Sequence, residues 1–272
     1  MSKNLEITIL AENNVEKRDL LAEHGLSLYF KYNDKEYLFD TGQGKVIFGN
    51  AKKLGIDLKE IDTIFLSHGH DDHTGGLKEL LKLKPEVRVF AHSEVFMEKY
   101  KKVGTELEFI GTDLEKDNLE NFEDAENAVA AAPGLYNTGV IEAASKNYLN
   151  PRYVVKENDK EKIDLFNDDT SLYLESESGI VILLGCSHKG VKNIIDQIRT
   201  EVGDKKIRAI IGGMHLKRAG SDKIEDLIKY FAQIDFELLV PIHCTGREAA
   251  VKFKQAFGEK VKLGSVGDKF KF

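Results

Sequence analysis

A chain of 272 residues that is 42% hydrophobic and 31% charged can bury one large or two small cores, and it is not a disordered segment. Its formal charge of −7 argues against a general role on nucleic acid or at a membrane surface, because phosphate backbones and anionic lipids attract basic faces. Only Cys186 and Cys244 are present, the opening MSKNLEITILAENN lacks an apolar signal core, and no stretch reaches membrane-spanning length; a reduced, cytoplasmic protein is expected.

Runs rich in β-branched and aromatic residues predict strands at 5–10, 26–32, 37–39, 61–66 and 87–91, then at 171–175, 180–184, 207–211 and 236–242. Apolar residues three and four apart predict helices through Leu77, Leu80 and Leu81, and through Val191, Ile194, Ile195 and Ile198. The same spacing recurs at Ile224, Leu227, Ile228 and Phe231, and at Ala249, Phe253 and Phe257. The class is therefore α/β. LSLYFKYNDKEYLFD reads as a hairpin turning at Asn33-Asp34, and SLYLESESGIVILLG as another around Ser178-Gly179, so the sheets are expected to be mixed. From 111 to 168 the patterning weakens. A structureless loop of that length is unusual in a compact domain, so this stretch is read as an insertion or cap on one domain spanning 1–272.

The polar residues of interest follow apolar strands: Asp40 after YLF, His68 after IFL, Cys186 and His188 after IVILLG, His215 after IRAIIGGM, and His243 after ELLVP. Loops at strand ends, held by a rigid scaffold, are where function usually sits. In FLSHGHDDHTGG, three histidines and two aspartates fall within residues 68–73. Zn²⁺ and similar ions need a few N and O donors converging on one point. His68 and His70 flank a small residue, while Asp72 and His73 on the next turn can reach a second position. One short segment can thus feed two adjacent ions.

HGHDDH is similar to the H-x-H-x-D-H signature of the metallo-β-lactamase fold superfamily, and LFDTG around Asp40 resembles its early Asp-bearing motif. LLGCSHKG, IIGGMHL and PIHCTG resemble a subgroup of metal-dependent hydrolases related to dihydropteroate-synthase-like, methanopterin-precursor synthase enzymes. The resemblance covers nearly the whole chain. It implies an αββα sandwich of two mixed sheets flanked by helices, with a dinuclear site in the cleft at the sheet edges.

Carried over residue by residue, it implies that His68 and His70 bind the first metal and that Asp72, His73 and His243 bind the second. Asp40 would support the metal loop. The chain departs from the common pattern at 168–170 and 186–188, where His188 best fills the remaining first-metal position. Cys186 reads either as a thiolate in place of a bridging carboxylate or as a small buried residue; Asp169 reads as a further ligand or an ordinary turn carboxylate. His24 and His215 read as substrate contacts, supports of the site or loop histidines, whereas Cys244 and His92 read as structural.

Two divalent ions, Zn²⁺ by default with Mn²⁺ or Fe²⁺ as alternatives, would hold a bridging water and lower its pKa from about 16 toward 7. Asp72 would also act catalytically, orienting that water or carrying its proton. The implied reaction is hydrolysis of a small anionic substrate, phosphorylated or pterin-like, which Lys189, Lys217 and Arg218 could contact. No nucleic-acid or membrane partner is expected. The rival readings are a non-enzymatic metal-containing binding or sensing domain and an iron-dependent redox enzyme on the same fold.

Overall fold

The computed structural model describes residues 4–144, 148–158 and 160–272. Strand β1 (Leu5–Ala11) pairs antiparallel with β2 (Ser27–Tyr32), which turns into β3 (Lys35–Phe39). Asn33 and Asp34 make that turn with left-handed φ values of 50° and 63°, the two-residue geometry whose twist matches paired strands. Helix α1 (Ile47–Leu54) leads to β4 (Thr63–Phe65), parallel to β3. After the single turn α2 (Asp71–Thr74) and helix α3 (Leu77–Leu83) comes β5 (Arg88–Ala91), parallel to β4. Strands β6 (Glu98–Val103) and β7 (Glu106–Phe109) form a hairpin. Beyond them, β8 (Phe122–Asp124) joins β5, and β9 (Val129–Ala132) pairs with β10 (Leu135–Asn137).

Strands β11 (Tyr153–Glu157) and β12 (Lys160–Ile163) form a further hairpin, which pairs through β11 with β6. The hairpin β13 (Ser171–Ser176) and β14 (Gly179–Leu184) turns at Glu177-Ser178, with Gly179 already in the strand. Helix α4 (Val191–Val202), β15 (Ile207–Gly212), α5 (Ser221–Phe231), β16 (Phe236–Pro241) and α6 (Arg247–Phe257) follow as crossovers, before β17 (Lys269–Lys271) returns to β1. The resulting sheets run β17-β1-β2-β3-β4-β5-β8, β16-β15-β14-β13-β10-β9 and β12-β11-β6-β7.

Strand alternation decides the layering. Ile7, Ile9, Phe30 and Phe39 of the first sheet meet Leu172, Leu174, Leu183 and Ile211 of the second in one buried cluster. Residues pointing the other way go to the helices: Leu38 and Ile64 pack with Ile47, Leu77 and Leu80 of α1 and α3. Ile180, Ile182 and Ile210 pack with Ile194, Ile198, Phe231 and Phe253 of α4 to α6. A strand covered on both faces must be apolar throughout, which is why GIVILL shows no polar alternation. The two large sheets with outer helices are the mixed α/β sandwich that the sequence implies.

The third sheet is an addition to it. Residues 111–168 supply β8 to the first sheet, β9 and β10 to the second, and β11 and β12 to the third, whose other half, β6 and β7, precedes them. Charged residues interrupt the apolar runs in EKYKKV and ELEF because much of this sheet is solvated.

Lys99 of β6 is 1% exposed, and its Nζ donates to Asp164 Oδ2 at 2.9 Å and Asp168 Oδ1 at 3.0 Å. Asp168 Oδ2 in turn accepts the Gly69 N–H at 2.8 Å. A buried ion triad therefore ties the third sheet to the loop after β4. Lys99→Met would leave two buried carboxylates without their cation, an expected loss of about 3–5 kcal/mol in chemical denaturation; unchanged stability would show that the triad holds nothing.

Candidate metal centre

The loop after β4 is shaped by what its backbone must avoid. A Cβ on Gly69 would lie 2.3 Å from the Val95 carbonyl oxygen, so only glycine fits between His68 and His70. The His70 carbonyl accepts the N–H groups of His73 and Thr74, starting the single turn that brings Asp72 and His73 back toward the same side.

His68, His70 and His188 are buried, with ligand atoms within 4.8 Å of one another. Ser67 gives its hydroxyl proton to Asp40 Oδ2 at 2.7 Å, so its oxygen accepts from His68 Nδ1–H at 2.9 Å. His68 Nε2 is left with a lone pair, directed at His70 Nδ1 3.1 Å away. His70 Nε2 and His188 Nε2 are buried without a hydrogen-bond partner among the described residues. Burial above all holds these three imidazoles well below their ordinary pKa, which keeps them in the neutral form that ligates metals. Phe166 fixes the His188 ring by parallel stacking, with centroids 4.1 Å apart and 5° between planes.

A second group lies beside the first. His73 Nδ1–H donates to Asp40 Oδ2 at 2.6 Å, and His243 Nδ1–H donates to Asn13 Oδ1 at 3.0 Å. Their Nε2 atoms then face each other at 3.1 Å, with Cys186 Sγ 3.2 Å from the first and 3.4 Å from the second. Asp72 stands 3.9 Å from His73 Nε2 and 3.4 Å from His243 Nε2. Burial opposes a proton on His73, but Asp40 and Asp72 outweigh it and hold its pKa up at about 9. Burial likewise works to raise Asp72, yet His73 and His243 keep its carboxyl well below the usual range. Asp40 and Asp72 thus favour positive charge at the buried His73–His243 contact, where either a proton on His73 or a metal cation can supply it. The neighbouring imidazoles with their orphaned nitrogens make the same demand, so the residues present fit a pair of metal ions.

All six sequence-derived ligand positions, His68, His70, Asp72, His73, His188 and His243, meet in this cluster. Asp40, Ser187, His215 and His243 just beyond the strands take left-handed φ values of 62°, 60°, 49° and 53°, local strain of the kind that gathers at functional sites. Cys186 joins the cluster. Asp169 does not: its Oδ2 accepts the Lys189 N–H at 2.8 Å, and burial pushes its carboxyl up to about 7. The expectation that Lys189 could meet an anion is corrected, because its buried Nζ donates to the Ile141 carbonyl at 3.0 Å. His92 accepts the Glu94 N–H as a turn cap, and Cys244 Sγ–H points to the Cys186 carbonyl.

His24 Nδ1 lies 3.4 Å from Asn13 Nδ2, an amide donor, so its Nε2–H faces Asp72 Oδ2, also at 3.4 Å. Its place is as an orienting partner of that carboxylate. Sequence reasoning missed Glu12, Asn13, Ser67 and Phe166. Glu12 and Asn13 carry no local signal, since they meet His243 across 231 and 230 positions, whereas Ser67 stands beside His68 in the motif and reaches Asp40 across 27.

A cavity of about 290 Å³ opens onto the cluster, with His70, Asp72, Cys186 and His188 among its lining residues. Fold and donor set together define a metallo-β-lactamase-type centre. The chain belongs to the metallo-β-lactamase superfamily, whose pattern matches residues 22–166. It is 32% identical to the 7,8-dihydropterin-6-methyl-4-(β-D-ribofuranosyl)-aminobenzene-5'-phosphate synthase of Methanocaldococcus jannaschii, over 99% of this chain and 97% of that protein. An uncharacterized protein of the same organism is 30% identical over 92% of this chain and 94% of its own length. Among solved structures, Tm1679, a metal-dependent hydrolase of the β-lactamase superfamily, matches with a TM-score of 0.84 at 31% identity over 98% of both chains. Zn²⁺-bound PqqB from Methylobacterium extorquens shares the fold alone, with a TM-score of 0.55 at 11% identity over 97% of this chain and 99% of its own.

Asp40 accepts three donors: Ser67 N–H at 2.7 Å, Ser67 Oγ–H at 2.7 Å and His73 Nδ1–H at 2.6 Å. In Asp40→Asn, an amide N–H would face one of them. The expected outcome is a loss of about 1–3 kcal/mol in stability and disappearance of the His73 Nδ1–H proton from the NMR spectrum. Retention of both would mean that Asp40 does not set the His73 tautomer.

Proposed function

We propose that the protein is a metal-dependent hydrolase that holds two divalent cations, Zn²⁺ by default, and directs water at a small anionic substrate. His68, His70 and His188 would hold one ion; Asp72, His73 and His243 would hold the other, with the Cys186 sulfur in reach of the second group. The observation that carries this reading is the 3.1 Å approach of two Nε2 atoms whose Nδ1 protons are already committed to oxygen acceptors. Bound there, two divalent ions would lower the pKa of a shared water toward about 7 and polarise an acceptor oxygen of the substrate.

The chain's own residues do the rest. Asp72 lines the cavity and is oriented by His24, which suits it to position the attacking water. Tyr153 also lines the cavity, and burial raises its pKa, so the phenol remains a donor to a substrate oxygen. The opening of the cavity onto the cluster favours an enzyme over a closed structural or sensing site. Two buried, unbridged thiols suit a reducing compartment, the cytoplasm. Among the described residues, no helix is long and apolar enough to cross a membrane.

The synthase name of the M. jannaschii relative supports a second reading, in which the same centre assists a condensation on a pterin-like or phosphorylated partner. Chelation followed by reconstitution with Zn²⁺, Mn²⁺ or Fe²⁺ tests the first. Two equivalents of metal should bind and restore cleavage of a phosphodiester, thioester or lactone. His188→Ala and His243→Ala should each lose one equivalent and about 100-fold or more in rate. A protein that stays metal-free after reconstitution would end the proposal; metal binding with condensation but no hydrolysis would favour the second reading.

A further inference from the structure

Lys99 and Lys101 stand two residues apart on β6, hence on one face of the third sheet, yet their charges are treated differently. Lys99 is buried and neutralised by Asp164 and Asp168. Lys101 lies in register with Tyr153 of β11, and both line the cavity over the metal cluster together with Arg152. Lys102, on the opposite face, is paired with Glu161. From the other side, the connection after β15 contributes Lys217 and Arg218, and α5 contributes Lys223.

Among the described residues, none of these five cations forms an ion pair, and the one carboxylate lining the cavity is Asp72, which faces His73 and His243. Chance would not favour this in a chain whose net charge is −7. Five like charges around one small space repel one another in the free protein. Their repulsion is relieved when an anion enters.

We propose that Lys101, Arg152, Lys217 and Arg218 form a subsite for a dianionic group, a phosphate monoester, on the part of the substrate that does not react. Water attack belongs to the floor of the cavity, at His70, Asp72 and His188, whereas the cations come from the third sheet and the β15–α5 connection. An arginine fork with several ammonium groups suits a tetrahedral dianion better than a single carboxylate. Binding energy gathered on a part of the substrate that does not react would serve to orient the reacting bond. The proposal deepens the hydrolase reading and rests on it for the meaning of "reacting", but the subsite can be measured without turnover.

The test is calorimetric titration of the metal-loaded protein with inorganic phosphate, with glycerol phosphate and glycerol, and with succinate. Glycerol phosphate should bind and glycerol should not. Arg152→Gln and Lys217→Gln should each weaken phosphate about tenfold, the effect expected from losing one charge-assisted contact, with metal content unchanged. His188→Ala should lose metal while keeping phosphate affinity within about threefold, since it leaves all four cations of the subsite in place. Should phosphate binding vanish in His188→Ala and survive in the other two, phosphate would be seated on the metals and the proposal overturned. Preference for succinate over phosphate, or no affinity for either, would overturn it too. If wild-type protein binds no metal yet Arg152 and Lys217 still govern phosphate affinity, the hydrolase reading fails while the anion subsite stands.

Discussion

Two imidazole nitrogens that cannot both donate are held 3.1 Å apart, next to a carboxylate and a thiol, at the dry end of a β-sandwich. Left to themselves, such groups would swing apart or recruit water. Here they cannot, because each ring is pinned from behind: His73 by Asp40, His243 by Asn13 and, through its backbone, Glu12. The energy that keeps these rings together in the interior comes largely from elsewhere, from the apolar layers between and outside the two large sheets. Folding holds the donors in place before any cation arrives.

The same logic extends outward from the rings. Ser67 links Asp40 to both sides of the centre, since its hydroxyl serves the carboxylate that anchors His73 while its oxygen receives His68 Nδ1–H. Gly185 leaves room for it: a Cβ there would sit 2.2 Å from Ser67 Oγ. Phe166 braces His188, and the buried Lys99 triad next to it joins the third sheet to Gly69. A change in the third sheet is therefore felt at the metal loop through this triad, and also through Tyr153 of β11, whose ring stacks 5.6 Å from His70.

How much of this was legible in the sequence depends on range. Strands covered on both faces, such as GIVILL, and amphipathic helices such as Val191–Val202 announce themselves by composition and period. The spacing of HGHDDH, with similar motifs elsewhere in the chain, was enough to group His68, His70, Asp72, His73, His188 and His243. Helix α1 was not legible, because Ile47 and Ala51 alone give too short an apolar stripe. The third sheet was hidden by its solvated, charged face, and residues 111–168 read as one weakly patterned stretch although they contribute to three sheets. Lys189 was misjudged for a related reason: a lysine beside a motif histidine looks like a substrate contact until the fold buries it against the Ile141 carbonyl. Asn13 and Phe166 act through contacts that no local pattern encodes, and Ser67, though adjacent to His68, serves Asp40 from 27 positions away.

The most direct test of the centre is crystallographic. Crystals grown with Zn²⁺ and measured on both sides of the zinc edge should show two anomalous peaks about 3.5–4 Å apart, one among His68, His70 and His188 and the other among Asp72, His73 and His243. A fully ordered loop with no peak at either position, even at saturating zinc, would contradict the account.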